Sequence, residues 1–177
     1  GPGSDLGQAL VEAGPTRAVS FTGSCAVGAT LYDQAVRRRL RVQLEMGGKN
    51  PTVVLADADL ERAVDNTING AFASTGQKCT ATSRVIVESP VYDRFVARLV
   101  ARARGLKVGP GMDPATEVGP AIDADQLNTV MRYIDAGVRD GATLACGGRR
   151  LDRPPFDHGF FVEPTVFVDV GEQMTIA

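Results

Sequence analysis

Apolar residues in this chain recur with two periods, short β-type runs alternating with longer helical ones. Residues 18–21 (Ala18, Val19, Ser20, Phe21) are apolar and β-prone, and Thr22, Gly23 and Ser24 follow as a turn that opens a helix over residues 26–37. Residues 41–44 alternate as a strand does, Gly47 and Gly48 break the run, and residues 51–55 supply another strand. The clearest helical signal comes next. Leu60, Ala63, Val64, Thr67, Ile68, Ala71 and Phe72 follow the i, i+3, i+4, i+7 rule behind the N-cap candidates Asp57 and Asp59, with Gly76 as the expected end. Residues 84–88 read as a strand. Helices are predicted over residues 92–104 (Tyr92, Phe95, Val96, Leu99, Val100) and 124–139 (Leu127, Val130, Met131, Ile134), with a Gly/Pro-rich loop at 108–120 between them. A short strand at 143–145, a glycine turn, an irregular stretch at 155–159 and a strand over 161–168 complete the pattern.

Strands alternating with helices predict an α/β fold with a largely parallel sheet. Gly1, Pro2, Gly3 and Ser4 read as the remnant of a cleaved expression tag and are set aside. The chain opens with one strand and one helix of a nucleotide-type unit and stops at residues 174–177 with no terminating signal, so it is expected to be a piece of a longer protein.

Composition narrows the function. Nineteen Lys and Arg against 21 Asp and Glu leave a net charge of −2, which gives no field for nucleic acid or an anionic membrane. Neither a bilayer-length apolar run nor a charged leader is seen, and the expected location is the cytoplasm. Three cysteines, Cys25, Cys79 and Cys146, are odd in number and widely spaced, so reduced thiols are expected. With His158 as the one histidine, no Cys/His metal site is expected. Ser-His-Asp or Cys-His catalysis would have to use His158 as base.

Three segments carry candidate chemistry. Gly23 to Gly28 has the glycine spacing of a phosphate loop, but Ala29 and Thr30 stand where Lys and Ser/Thr are required, so the Mg-nucleotide reading fails. What remains is a strand-to-helix turn whose amides, with Gly23 and Ser24, either receive a phosphate or ribose or form an ordinary βα turn. Glu45 stands before Gly47 and Gly48. As a water-activating base it needs partial desolvation, expected from Leu44 and Met46; otherwise it is a solvated strand-end carboxylate. Cys79 lies in a small-residue polar loop after a helix, beside Lys78, a setting for a thiolate nucleophile or for an inert thiol. Cys25 and Cys146 lack that setting and are read as packing residues.

Taken in order, Phe21-Thr22-Gly23-Ser24 with Gly28, then Leu44-Glu45-Met46-Gly47-Gly48-Lys49, then Gly76-Gln77-Lys78-Cys79 resemble the aldehyde dehydrogenase superfamily. Further matches fall at Asp57 to Leu60, Glu117 to Pro120, Gly147-Gly148, Phe161 to Val166 and Met174 to Ala177. The resemblance implies an aldehyde dehydrogenase-like fold. Residues 5–44 would be the C-terminal part of an NAD(P)-binding domain, including the last strand and helix of a Rossmann-like unit, and residues 45–177 a truncated catalytic domain. It implies oxidation of a small aldehyde to a carboxylic acid with NAD or NADP, without nucleic acid or membrane, in a homo-oligomeric parent. By the same resemblance Cys79 is the nucleophile that passes through a thiohemiacetal and a thioester, and Glu45 is the base. Gly23, Ser24, Gly28, Met46 and Gly47 lie on the cofactor side.

The wording of residues 44–50 and 74–84 is similar to bacterial members acting on 2-oxoglutarate semialdehyde. The family's remaining cofactor-binding parts and second oxyanion donor are not in this stretch, so the chain alone is expected not to turn over. Two other readings of the residues stay open: a non-catalytic module with an inert thiol, and a thiol esterase that needs no nucleotide.

Overall fold

The computed structural model describes residues 3–177. Of the expected tag remnant, residues 1 and 2 lie outside the described residues, whereas Gly3 and Ser4 open a helix, α1 (Gly3–Glu12). Nothing in the apolar pattern marked this helix. Leu6 and Leu10 are exposed and, among its described side chains, only Val11 is buried, so no inward-facing stripe is there to read.

The chain divides into two compact units, the first ending at Gly48 and the second beginning at Lys49. β2 (Arg41–Met46) runs through Glu45 and pairs with β1 (Ala18–Gly23), parallel and in register from Ala18 opposite Arg41 to Gly23 opposite Met46. Between these strands runs α2 (Cys25–Arg37), which buries Gly28, Leu31 and Ala35 on one stripe. Ser24 caps it, its Oγ accepting from Val27 N at 3.3 Å.

The second unit opens with the same parallel motif. β3 (Asn50–Val54) and β4 (Thr82–Val87) flank α3 (Leu60–Phe72). Asp59, not Asp57, is the cap, its carboxylate accepting from Glu61 N at 3.1 Å and Arg62 N at 3.2 Å. α4 (Tyr92–Arg104) packs on α3. Val54, Leu60, Val64, Ile68, Phe95, Leu99 and Ala103 form one buried cluster with Val118 of the following loop and Cys146. α5 (Ala124–Arg139) follows, capped by Asp123, and leads into β5 (Thr143–Cys146).

The strand expected over residues 161–168 is two strands. β7 (Phe161–Val162) pairs antiparallel with β6 (Arg150–Leu151), and β8 (Val166–Val168) pairs antiparallel with β5. Pro164 has no N–H to extend a ladder, and Thr165 Oγ1 is drawn off to accept from Gly148 N at 2.9 Å. Gly147 makes this seam possible, with φ 75° and a backbone so near Pro164 that a Cβ would sit 2.2 Å from its carbonyl oxygen. The two longer strand pairs are parallel and the two short ones antiparallel, giving an α/β chain of two-stranded sheets.

Candidate active site

Cys79 sits on a turn that the second unit grips from both sides. α3 ends at Phe72 rather than at Gly76. The chain then passes through three left-handed residues, Ser74 (φ 54°), Thr75 (φ 58°) and Gly76 (φ 67°). Left-handed φ at a β-branched residue costs on the order of 1–3 kcal/mol and persists where the surroundings over-determine it. Gln77 shows how it is held, donating from Nε2 to Pro120 O at 3.3 Å and accepting at Oε1 from Ile122 N at 2.9 Å. Ala81 N then donates to Lys78 O at 3.1 Å, closing a turn with Cys79 and Thr80 at its apex, both exposed.

From the other side comes Asn50, the first residue of β3. Its Nδ2 donates to Cys79 O at 2.7 Å and to Ala81 O at 3.3 Å. The β3–β4 register shifts between Asn50, opposite Thr82, and Pro51, opposite Arg84, and such irregularities re-aim side chains at sheet ends. Asn50 stood in the sequence directly after the Glu45 to Lys49 segment without being singled out. Its signal was an amide side chain before Pro51, at the start of a strand. Lys49, beside it, donates from Nζ to Ile176 O at 2.7 Å; partial burial, with Arg84 nearby, lowers its pKa.

Glu45 belongs to the first unit. Its expected apolar setting is absent there, because strand alternation turns Leu44 to the half-buried face and leaves Glu45 exposed, its Oε1 accepting from Gln43 Nε2 at 3.4 Å. Met46 packs instead over Gly28, where an added Cβ would meet its Sδ at 2.4 Å. Gly23 likewise lies against the Phe21 ring. Of the residues expected on the cofactor side, Gly28 is thus buried, while Gly23, Ser24, Met46 and Gly47 are exposed.

The cysteines separate by environment. Cys146 is buried as expected, and burial pushes its thiol pKa up. Cys25 is not a packing residue: it is exposed at the start of α2, where β1 hands the chain to the helix, and its thiol donates to Gly47 O at 3.5 Å. A cavity of about 520 Å³ borders Cys146, Arg104, Arg149 and Glu163. A second, of about 250 Å³, lies behind the Cys79 loop against Thr75, Gly76, Gln77, Phe72 and Phe160.

A family model described as the aldehyde dehydrogenase family matches residues 1–177. The chain belongs to the aldehyde dehydrogenase family. It is 46% identical over 177 residues to an alpha-ketoglutaric semialdehyde dehydrogenase of Bacillus subtilis (strain 168), covering 100% of this chain and 36% of that relative. It is 49% identical over 177 residues, with the same coverage of each chain, to an alpha-ketoglutarate semialdehyde dehydrogenase of Haloferax volcanii. Among solved structures, a betaine aldehyde dehydrogenase from Staphylococcus aureus, in complex with NAD+, superposes with a TM-score of 0.96 at 38% identity. That match covers 99% of this chain and 35% of the other. This aldehyde dehydrogenase chain therefore spans about a third of the length of the relatives it matches.

Proposed function

We propose that this chain carries the nucleophile, Cys79, and the general base, Glu45, of an enzyme that oxidises an aldehyde to a carboxylic acid with NAD or NADP. The observation that carries the reading is the Cys79 turn. An exposed thiol in a family of aldehyde dehydrogenases sits at the apex of a turn held by Gln77 and Asn50 and preceded by strained backbone.

The cofactor side fits a dinucleotide. Gly23 to Val27 are exposed at the carboxyl end of a parallel strand and the N-terminus of α2, where backbone N–H groups lack intrahelical acceptors. Gly23, Ser24 and Gly47 would hold it, with Met46 over Gly28 shaping the surface. NAD or NADP, when bound, supplies the hydride acceptor.

The chain's own residues do the rest. The Cys79 thiolate adds to the aldehyde carbon, forming a C–S bond, and charge develops on the carbonyl oxygen, which the Cys79 backbone N–H stabilises. After oxidation the acyl group is a thioester on Cys79. Glu45 takes a proton from water, the water oxygen attacks the acyl carbon, and the C–S bond breaks to release the carboxylic acid and the cysteine sulfur.

For substrate we propose 2-oxoglutarate semialdehyde, supported by the two relatives named for that activity. Betaine aldehyde is the second reading, because betaine aldehyde dehydrogenases of Brucella match at 47% identity over 173 residues. The enzyme is proposed to be cytoplasmic and homo-oligomeric; among the described residues no helix is long and apolar enough to cross a membrane. The deciding test replaces Cys79 with Ser in a full-length aldehyde dehydrogenase carrying this segment and assays both aldehydes. Oxidation should fall by about 10³-fold or more, on the scale seen when a nucleophile is removed, and retained activity would refute the assignment. The 177-residue chain alone should show no micromolar NAD affinity by calorimetry.

A further inference from the structure

We infer that Asn50 is a positioning residue: by holding two carbonyls of the Cys79 turn, its side-chain amide sets the direction of the turn's free N–H groups. The inference rests on the reading of Cys79 as the nucleophile.

A four-residue turn has a second arrangement, reached by flipping the peptide between its two central residues, which sends that peptide's carbonyl to the opposite side. In the turn closed by Ala81 N and Lys78 O, the peptide concerned joins Cys79 to Thr80. Its carbonyl is the one Asn50 binds at 2.7 Å. A trans peptide is planar, with its C=O and N–H antiparallel, so fixing Cys79 O toward β3 turns the Thr80 N–H away from β3.

Flipping the peptide would break the Asn50 bond and drive Thr80 to positive φ, which its branched side chain resists. Thr80 keeps negative φ here. Asn50 and Thr80 therefore favour the same arrangement. Among the described residues neither Cys79 N nor Thr80 N donates to a backbone acceptor. Both remain available to negative charge on the sulfur or on the oxygen that forms when the thiolate adds to a carbonyl.

The chemistry also explains the residue type. Two carbonyls, at 2.7 and 3.3 Å, need two protons from one group. A side-chain amide supplies two, a hydroxyl one, and an alkyl group none. Asn50 lies at the register shift of the β3–β4 pair, where the irregularity brings a strand residue against a loop rather than along the ladder.

The test uses the 177-residue chain with Cys25→Ser, so that Cys79 is the exposed thiol, and measures iodoacetamide alkylation at neutral pH. Asn50→Leu keeps the size and adds no charge. It should slow alkylation of Cys79 about tenfold, the scale of one or two lost hydrogen bonds. Asn50→Ala should match it, and Asn50→Ser, with one donor, should fall between. A role in packing alone predicts that Asn50→Leu reacts like the Cys25→Ser chain with Asn50 in place, and that result overturns the inference, as does faster reaction in any Asn50 variant. If the variants fail to fold by circular dichroism, NMR of the unmodified chain decides. Asn50 side-chain protons exchanging as fast as those of an exposed asparagine would overturn it, and protected ones support it. Failure of the underlying reading shows separately, as a Cys79 in the unmodified chain that alkylates no faster than Cys25.

Discussion

The two units of this chain start from the same parallel strand-helix-strand motif and bury it to different depths. In the first, Val11, Leu31 and Ala35 are the buried hydrophobic residues among those described, Val27, Tyr32 and Val36 of α2 are exposed, and Gln34 Oε1 is buried without a partner. In the second, α4 and the following loop add a further layer over α3, and Phe95, Val54 and Ala103 are closed off from solvent. One helix laid on two strands forms the motif but supplies little core. The layer added above it does that, which is why parallel sheets are characteristically covered.

The sharpest break of this contrast is by truncation. Phe95→Ala in the second unit should cost about 3–5 kcal/mol, read as a lowered denaturation midpoint and faster hydrogen exchange in α3 and α4. Leu31→Ala in the first unit should cost about 2 kcal/mol, the low end for such a change, because its layer is thin. Equal costs would erase the distinction. Helix caps sharpen it further: Asp59→Ala, which frees two N–H groups, should cost about 1 kcal/mol, and Ser24→Ala, which frees one, should cost less.

The smallest effect is in acid. The Asp113 carboxylate accepts from Ala115 N and lies beside Lys107; Glu117 accepts from Lys107 N and pairs with Arg102; Asp140 accepts from Thr175. All three are held below their ordinary pKa values by these contacts. A carboxylate depressed in the folded state stabilises it fully above the unfolded value of about 4 and loses that contribution as pH falls through the folded value. The second unit should therefore lose stability below about pH 4, gently, because these groups are exposed and screened. An acid titration followed by NMR in α5 and the residue 107–118 loop checks the sign. A gain of stability on acidification would contradict it.

Local patterns reveal an element where its apolar residues share one core, and hide it where they do not. α4 was placed to the residue because Phe95, Leu99 and Ala103 face one core in a strong helical period. α1 has no apolar stripe to read because Leu6 and Leu10 face outward and Val11 alone faces inward among its described side chains, and residues 161–168 read as one strand through Pro164 because alternation continues where the hydrogen-bond ladder does not. At the candidate site, Cys79 was legible from its polar, small-residue neighbours. Asn50 was not, since its importance lies in two carbonyls distant in the chain.

Periodicity, caps and glycines mark most of the elements and their order, because those signals act within a few residues of one another, while the family rests on the ordered motifs and on the match over residues 1–177. Which carbonyls Asn50 and Gln77 would reach, that Met46 would lie on Gly28, and that Cys25 would face solvent while Cys146 would not were decided only when segments far apart in the chain came together. Close packing and hydrogen-bond distance are properties of that assembly, and no local pattern encodes them.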